Sequence, residues 1–269
     1  KANTTGATNT AVGRDALEAN TTASGNVAVG AHVLAANTTG ALNTAIGYAA
    51  MEANTTSPNN TAVGYAALDA QTTGAGYNVA VGYSALTANT TGEVQTAVGT
   101  SALGANTTGT QNTALGGNAM YANTTGDSNV AVGHNSLDAN TTGSTNTAVG
   151  QNALTANTTA SDNTAVGHSA MEANTTGTNN VAIGKNCLYT NVTHSDNTAI
   201  GHDALAVNVA DDNTAVGSQA LDANTTGNGH VAIGRNALGA NTTASDNTAI
   251  GANAGGALTT GDKTVCIGG

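Results

Sequence analysis

Asparagine followed by two threonines is the chemically most suggestive element of this 269-residue chain, and it occurs twelve times. Each copy, like one Asn-Val-Thr variant, is an Asn-x-Ser/Thr acceptor for N-linked glycosylation. The same tripeptide suits a turn, because Asn and Thr side chains bond to local backbone groups and stack as ladders. A regular Thr array would also suit ice binding, although alternation along a strand leaves one outward Thr column. The thirteen candidate glycosylation residues are Asn3, Asn20, Asn37, Asn54, Asn89, Asn106, Asn123, Asn140, Asn157, Asn174, Asn191, Asn224 and Asn241.

The other reactive side chains fall on repeated positions. His134, His168 and His202 lie two repeats apart, roughly 10 Å within one chain if repeats stack as strands. That distance is too long for a shared metal, because zinc–nitrogen bonds are about 2 Å, although one His from each of three chains could converge. A solvated surface is the simpler interpretation. Cys187 and Cys266 replace alanines and are interpreted as small apolar substitutes.

Acidic residues recur just before the A-N-T-T segment. Calcium needs six or more convergent oxygen ligands, so this column is interpreted as a soluble face. No metal, cofactor or catalytic residue is predicted, because a catalytic site needs one place unlike the others. We therefore expect that the protein is not an enzyme. The acidic residues of this column are Glu18, Glu52, Asp69, Asp138, Glu172 and Asp222.

Composition limits the partners. The formal net charge is −11 with five Lys and Arg residues, which gives no electrostatic basis for binding nucleic acid. No apolar run reaches membrane-spanning length, so no membrane insertion is expected in this segment. Phe and Trp are absent, and the apolar residues are mostly small or aliphatic. Such a chain has a thin core, which favours obligate self-association.

A repeat organises all of these residues. An Ala-Val-Gly element or a close variant recurs sixteen times, from Gly13 to Gly268, and thirteen of the fifteen glycine intervals are 17 residues. The consensus is N-[TV]-A-[VIL]-G-x-x-A-[LM]-x-A-N-T-T-G-x-x. One 18-residue interval has its insertion near Ala75–Tyr77, and one 16-residue interval has its deletion near Val209–Asp211. Surface turns tolerate length changes better than strands, so we expect a turn at this place in every repeat.

The period within the repeat predicts β structure. A 17-residue unit is too short for helical repeats, and N-T-A-V-G alternates with period two. The Thr or Val of this segment is predicted to be inward or half-buried, and a second short strand carries Leu or Met four residues after each glycine. Each repeat is therefore predicted to contain two strands and two turns. The predicted core residues are Leu17, Leu34, Met51, Leu68, Leu86, Leu103, Met120, Leu137, Leu154, Met171, Leu188, Leu205, Leu221 and Leu238.

A column of alanine accompanies the repeated glycine. One interpretation is a narrow solenoid interior. The other is a tight interface between chains, since Ala and Gly let backbones approach closely. We favour this second interpretation, because a coil with so thin a core is expected to self-associate. The candidate chain–chain interface residues are Ala11, Ala28, Ala45, Ala62, Ala80, Ala97, Ala114, Ala131, Ala148, Ala165, Ala182, Ala199, Ala215, Ala232 and Ala249.

The N-[TV]-A-[VI]-G element followed by A-L resembles the head repeats of YadA-like trimeric autotransporter adhesins, over essentially the whole chain. The A-L-x-A-N-T-T-G half, with the final segment 259–268, is similar to phage-type tail-fibre repeats that precede an intramolecular chaperone domain. The resemblance implies a left-handed parallel β-roll of three chains around one axis, displayed outside the cell or on a virion. The 17-residue unit and the N-T-T segment depart from the adhesin heads, so their ligand binding is not carried over.

These observations predict an all-β chain, a parallel β-solenoid of about sixteen 17-residue coils. Residues 1–269 are predicted to form a single repetitive solenoid, a fragment of a longer fibre protein. The expected function is an extracellular fibre or adhesin shaft on a cell or virion surface. Its expected partner is itself, as a homotrimer or filament, with a host-surface receptor or glycan as a further partner. The alternatives are a glycan-coated extracellular filament and an ice-binding solenoid.

Overall fold

The computed structural model describes residues 3–268, which fall into two compact units, 3–135 and 136–268. Every repeat contributes one three-residue strand. The first unit contains β1 to β8: Thr10–Val12, Val27–Val29, Thr44–Ile46, Thr61–Val63, Val79–Val81, Thr96–Val98, Thr113–Leu115 and Val130–Val132. The second unit contains β9 to β16: Thr147–Val149, Thr164–Val166, Val181–Ile183, Thr198–Ile200, Thr214–Val216, Val231–Ile233, Thr248–Ile250 and Val265–Ile267.

Within each unit the strands are parallel and pair in chain order. Equivalent residues of successive repeats lie opposite each other, as Ala45 does with Ala62 in the first unit and Ala182 with Ala199 in the second. Because each strand pairs with the equivalent strand of the next repeat, one repeat is one coil. The predicted all-β parallel solenoid is thereby confirmed for each unit. That the two units continue as one uninterrupted solenoid stays a prediction.

The predicted second strand is wrong. In the described coils the segment that carries the Leu or Met is a run of turns, and the fourteen core Leu and Met residues have φ between 48° and 54°. The residue two positions after each glycine is also left-handed, as at His32 with φ of 60°. Extended strands need negative φ, so these residues bend the chain back instead. Bonds between coils persist here, since the Met51 amide donates to the Ala67 carbonyl at 3.0 Å.

Both changes in repeat length lie outside the strands, as predicted. The long repeat carries its extra residue in the irregular segment 71–78, and the short repeat loses one in segment 208–213. The flanking strands stay in register, with Thr61 opposite Val79 and Thr198 opposite Thr214. This corner of the coil therefore absorbs insertions and deletions without disturbing the sheet.

The coil interior is narrow and mixed. Thirteen of the fourteen predicted core Leu and Met residues are 0% exposed, and Leu17 is 6% exposed. The residue that precedes each of them is buried beside it; it is Ala in eleven repeats and Val33, Ser136 or Cys187 in the other three. Two columns of Asn side chains occupy the remaining interior.

The predicted role of the strand alanines needs correction. Ala28, Ala45 and their equivalents through Ala249 are 0% exposed in a single chain, and Ala11 in the first coil is exposed. A side chain enclosed by its own coil cannot contact a partner chain, so the predicted chain–chain interface is wrong for Ala28 through Ala249. Alanine is required because Leu, Ala and Asn already fill the space opposite it. The flanking Thr/Val and Val/Ile/Leu side chains therefore point outward.

Candidate functional site: buried amide ladders and exposed faces

The asparagines of N-T-T form a ladder inside the coil, which we call the N-T-T ladder. The Nδ2 of Asn54 donates to the Oδ1 of Asn37 at 2.8 Å and to the carbonyl of Ser57 at 3.1 Å. In the second unit the Nδ2 of Asn157 donates to the Oδ1 of Asn140 at 2.9 Å. Asn157 also donates to the Ala160 carbonyl and accepts from Asn174 at 3.1 Å, so its amide is fully bonded, as buried polar groups generally are. The Oδ1 of Asn54, by contrast, has no partner.

This geometry corrects the predicted N-glycosylation sites. A glycan would replace an Nδ2 hydrogen and would need open solvent beside it. From Asn20 to Asn241, the twelve candidate asparagines after Asn3 are at most 1% exposed. A glycan on any of them is therefore incompatible with this fold, whereas Asn3 is exposed. The turn-and-ladder interpretation describes the structure.

A second ladder, which the sequence reasoning did not assign, lies directly before the strands. In this pre-strand ladder the Oδ1 of Asn43 accepts the Asn60 amide at 2.9 Å, and its Nδ2 donates to the Ser57 carbonyl at 2.9 Å. That carbonyl also accepts from Asn54, so the two ladders meet there. The signal for the second ladder was the nearly invariant Asn that opens N-[TV]-A.

The N-T-T threonines have separate roles. The hydroxyl of Thr38, a first threonine, donates to the Thr55 carbonyl in the next coil at 3.0 Å. Second threonines, such as Thr39 and Thr56, are exposed. The tripeptide therefore presents one exposed Thr column, as the alternation predicted.

Residues that interrupt the N-T-T pattern keep their place in the ladder. Gln71 replaces an asparagine; its Nε2 donates to the Thr73 carbonyl at 2.6 Å, and its Oε1 accepts from Asn89. In the shortened repeat, Asn208 accepts from the Nδ2 of Asn224 at 2.9 Å. Each of these residues thus accepts from the following coil but does not donate to the ladder asparagine of the preceding one, which leaves the Oδ1 of Asn54 and of Asn191 without a partner.

Besides His230, three described residues have pKa values shifted from their ordinary values. Burial raises the pKa of the Cys187 thiol to about 11, and its Sγ donates to the Gly201 carbonyl at 2.6 Å. Partial burial, and then the nearby Glu52 carboxylate, raise the pKa of Asp69 above its usual value. Partial burial raises the pKa of Asp222 in the same way, with a smaller contribution from the Asp203 carboxylate. Cys187 thus occupies a buried alanine position as an unreactive thiol.

The predicted surface histidines occupy the corner column, defined as the residue directly after each repeat glycine. His134, His168 and His202 are exposed, and the Nδ1 of His202 lies 2.9 Å from the Asp203 Oδ2. Among residues 3–268, no three His, Cys, Asp or Glu side chains are grouped as metal ligands.

In the first unit the corner column carries a stack of aromatic rings. The ring centroids of Tyr48 and Tyr65 are 5.4 Å apart, and those of Tyr65 and Tyr83 are 5.1 Å apart, with nearly parallel planes. His32 contacts Tyr48 edge to face. The rings are about half exposed, so the stack covers one corner of three successive coils. Spacing of Tyr by one repeat was the signal for it.

The outward side chains at the first and third strand positions form what we call the sheet face. It consists of Thr or Val beside Val, Ile or Leu in every coil. Ile183 and Ile233 are each 40% exposed, and Ile200 is 36% exposed. Large β-branched side chains are therefore left uncovered in the second unit, which in a single chain is unusual. In the first unit Ile46 and Leu115 are exposed in the same column, whereas most of its valines are half-buried.

No known family model matches the chain, and no curated protein gives a significant match. Within the described residues, no helix is long and apolar enough to cross a membrane.

Proposed function

We propose that the protein is a structural shaft of an extracellular fibre or adhesin, displayed on a cell or virion surface. The observation that carries the proposal is the uniformity of each unit: successive coils repeat one strand pairing and, with few interruptions, two amide ladders. Among the described residues the same side-chain types recur from coil to coil, and the bonded interior resists local opening. The resemblance to adhesin-head and tail-fibre repeats supports the same role.

The sheet face is the surface through which we propose that copies of this chain associate. It replaces the alanine column, whose side chains are enclosed. The corner column varies among Arg, Lys, His, Gln, Ser, Thr, Tyr, Ala and Gly, whereas the sheet face remains Thr, Val, Ile or Leu in every coil. Apolar area removed from water is the main favourable term in association, and this face offers the most. Three chains around one axis is the arrangement that the resemblance implies.

Light scattering on the purified chain tests this assembly. We expect a multiple of the 25.8 kDa chain mass for the unmodified protein. Replacing Ile183, Ile200 and Ile233 with Lys should give a monomer with unchanged circular dichroism, because three charges would be buried in the contact. The matched control places three lysines in the corner column, at Gln151, His168 and His202, where Lys185 occurs naturally, and should remain oligomeric.

A monomeric unmodified protein would overturn the assembly. Dissociation of the corner-column control together with an intact oligomer in the sheet-face variant would place the contact on another surface. Display outside the cell is tested separately, by adding protease to intact cells or virions of the source and detecting the chain by immunoblotting.

A further inference from the structure

The pre-strand ladder contains one aromatic ring, His230, directly before β14 (Val231–Ile233). The His230 amide donates to the Oδ1 of Asn213 at 3.1 Å, and its Nδ1 accepts the Asn247 amide at 3.2 Å. The side chain is 1% exposed. The imidazole thus takes over the acceptor role that an asparagine Oδ1 plays in neighbouring coils.

The ring disturbs the hydrogen bonding of the amides around it. In the described structure, the Nε2 of His230, the Oδ1 of Asn224 and the Nδ2 of Asn241 are buried without hydrogen-bond partners. A Cβ built on Gly227 would lie 2.5 Å from the His230 Nε2, whereas the equivalent atom on Gly40 would lie 2.8 Å from the Asn54 Nδ2. The ring therefore stands where the amide of Asn241 would otherwise join the N-T-T ladder.

Further along the chain, the N-T-T ladder ends at Leu258, which cannot donate to Asn241. The Oδ1 of Asn241 is accordingly also unpartnered. Both faces of the Asn241 amide are thus disconnected, one by His230 and one by Leu258. Buried polar groups left unpaired destabilise the closed coil, and their concentration here makes this the weakest stretch of interior bonding described in the second unit.

Protonation would weaken this stretch further. The neutral ring uses its Nδ1 lone pair to accept from Asn247, and a proton there would place two donors against each other. Burial, the largest effect, lowers the pKa of His230, while the Ala244 and Asn247 backbones and the Asp246 and Asp262 carboxylates oppose that shift. These two carboxylates are exposed, and the amides packed against the ring carry no charge.

We propose that His230 is an acid-sensitive point in the second unit, at which proton uptake opens the adjacent coils locally while the rest of the ladder stays bonded. The sign follows from the lowered pKa: the unfolded or opened chain binds the proton more readily than the closed coil. Stability is therefore complete above the ordinary histidine value of 6.5 and declines as the pH falls below it. The proposal does not depend on assembly or on a fibre role.

Hydrogen exchange followed by mass spectrometry tests it, on the full chain at pH 7.5 and pH 5.5. After correction for intrinsic rates, protection of the segment 224–247 should fall at the lower pH, by a factor that approaches about tenfold per pH unit for one proton. The variant His230→Asn restores the common ladder residue and should lose this pH dependence. Variant His168→Asn removes an exposed histidine and should keep it.

If protection of the segment does not change with pH, or if His230→Asn shows the same fall, the proposal is overturned. Should His230→Asn fail to fold, His230→Gln provides the same comparison, because Gln95 already occupies the equivalent ladder position in the first unit.

Discussion

The two units repeat one coil but differ in how they tolerate exceptions inside it. In the first unit the exceptions are Gln71 and Gln95, two longer amides. Gln95 reaches the partners that Asn would reach, and Gln71 leaves one neighbouring oxygen, the Oδ1 of Asn54, without a partner. In the second unit the exception with the widest effect is His230, whose ring accepts as Asn does while several atoms of the neighbouring amides are unpaired. The ladder tolerates a longer side chain more easily than a different functional group, because a side-chain amide carries a donor and an acceptor at the same end.

The outer surfaces of the two units also differ. The corner column of the first unit carries the Tyr48, Tyr65 and Tyr83 stack, whereas in the second unit the same column carries His168, Lys185 and other polar residues. Outside the coil, side chains are free to differ because they fill no shared space. Equivalent positions of the two units can therefore be substituted in parallel and their effects on stability compared.

The repeat glycines should be equally intolerant of substitution in both units. Gly99 has φ of 138° and Gly167 has φ of 139°, and a Cβ on either would lie 2.6 Å from the carbonyl carbon of the next repeat glycine. Ala at either position should lower the free energy of unfolding by about 3 kcal/mol, through backbone strain and the clash. Urea unfolding followed by circular dichroism measures this loss. A large effect in one unit and none in the other would show that the coils are not equivalent.

Substitutions in the N-T-T ladder should lower the free energy of unfolding by different amounts in the two units. Asn106 donates to Asn89 at 2.8 Å and to the Gly109 carbonyl at 3.1 Å, so Asn106→Ala should cost about 2–4 kcal/mol of unfolding free energy. The side-chain amide of Asn241 makes no described hydrogen bond, so Asn241→Ala should change the free energy of unfolding by less than about 1 kcal/mol. The same urea titration compares them. Equal losses would mean that Asn241 is bonded after all and that His230 does not disconnect it.

The tyrosine stack should stabilise the first unit modestly. Tyr65 contacts rings on both sides, and Tyr65→Ala should lower the midpoint of thermal unfolding, corresponding to about 1 kcal/mol for partly exposed stacked rings. His168→Ala, in the same column of the second unit, should stay within about 0.5 kcal/mol of the unmodified protein. A stack without energetic value would make the two substitutions indistinguishable.

The raised pKa values of Asp69 and Asp222 should give a small effect in both units. Because the folded state disfavours these charges, Asp69→Asn and Asp222→Asn should each slightly stabilise the protein at pH 7. The gain should disappear as the pH falls below the ordinary aspartate value of 3.8, where the carboxyls are neutral in both states. Thermal unfolding at pH 7 and pH 3 measures it. A gain that persists at pH 3 would show that charge is not its cause.

The repeat, the parallel in-register stacking, the turn that absorbs length changes and the Leu/Met core could all be predicted from the amino-acid sequence. These follow from spacing: residues that recur every 17 positions lie above one another once one strand pairs with the next. The second ladder was also present in the repeated Asn of N-[TV]-A, but polar residues beside a strand are ordinarily interpreted as solvent-exposed.

The direction in which each column points became clear from the folded coil alone. Alternation along Asn-Thr-Ala-Val fixes that Ala and Thr face opposite sides, but both assignments satisfy it equally. The left-handed turns at Leu and Met bring the second half of the coil back toward the strand, so that the interior is filled by Leu or Met, small Ala side chains and hydrogen-bonded amides. That closeness turned the alanines and asparagines inward, left Thr, Val and Ile outside, and closed the predicted glycan sites.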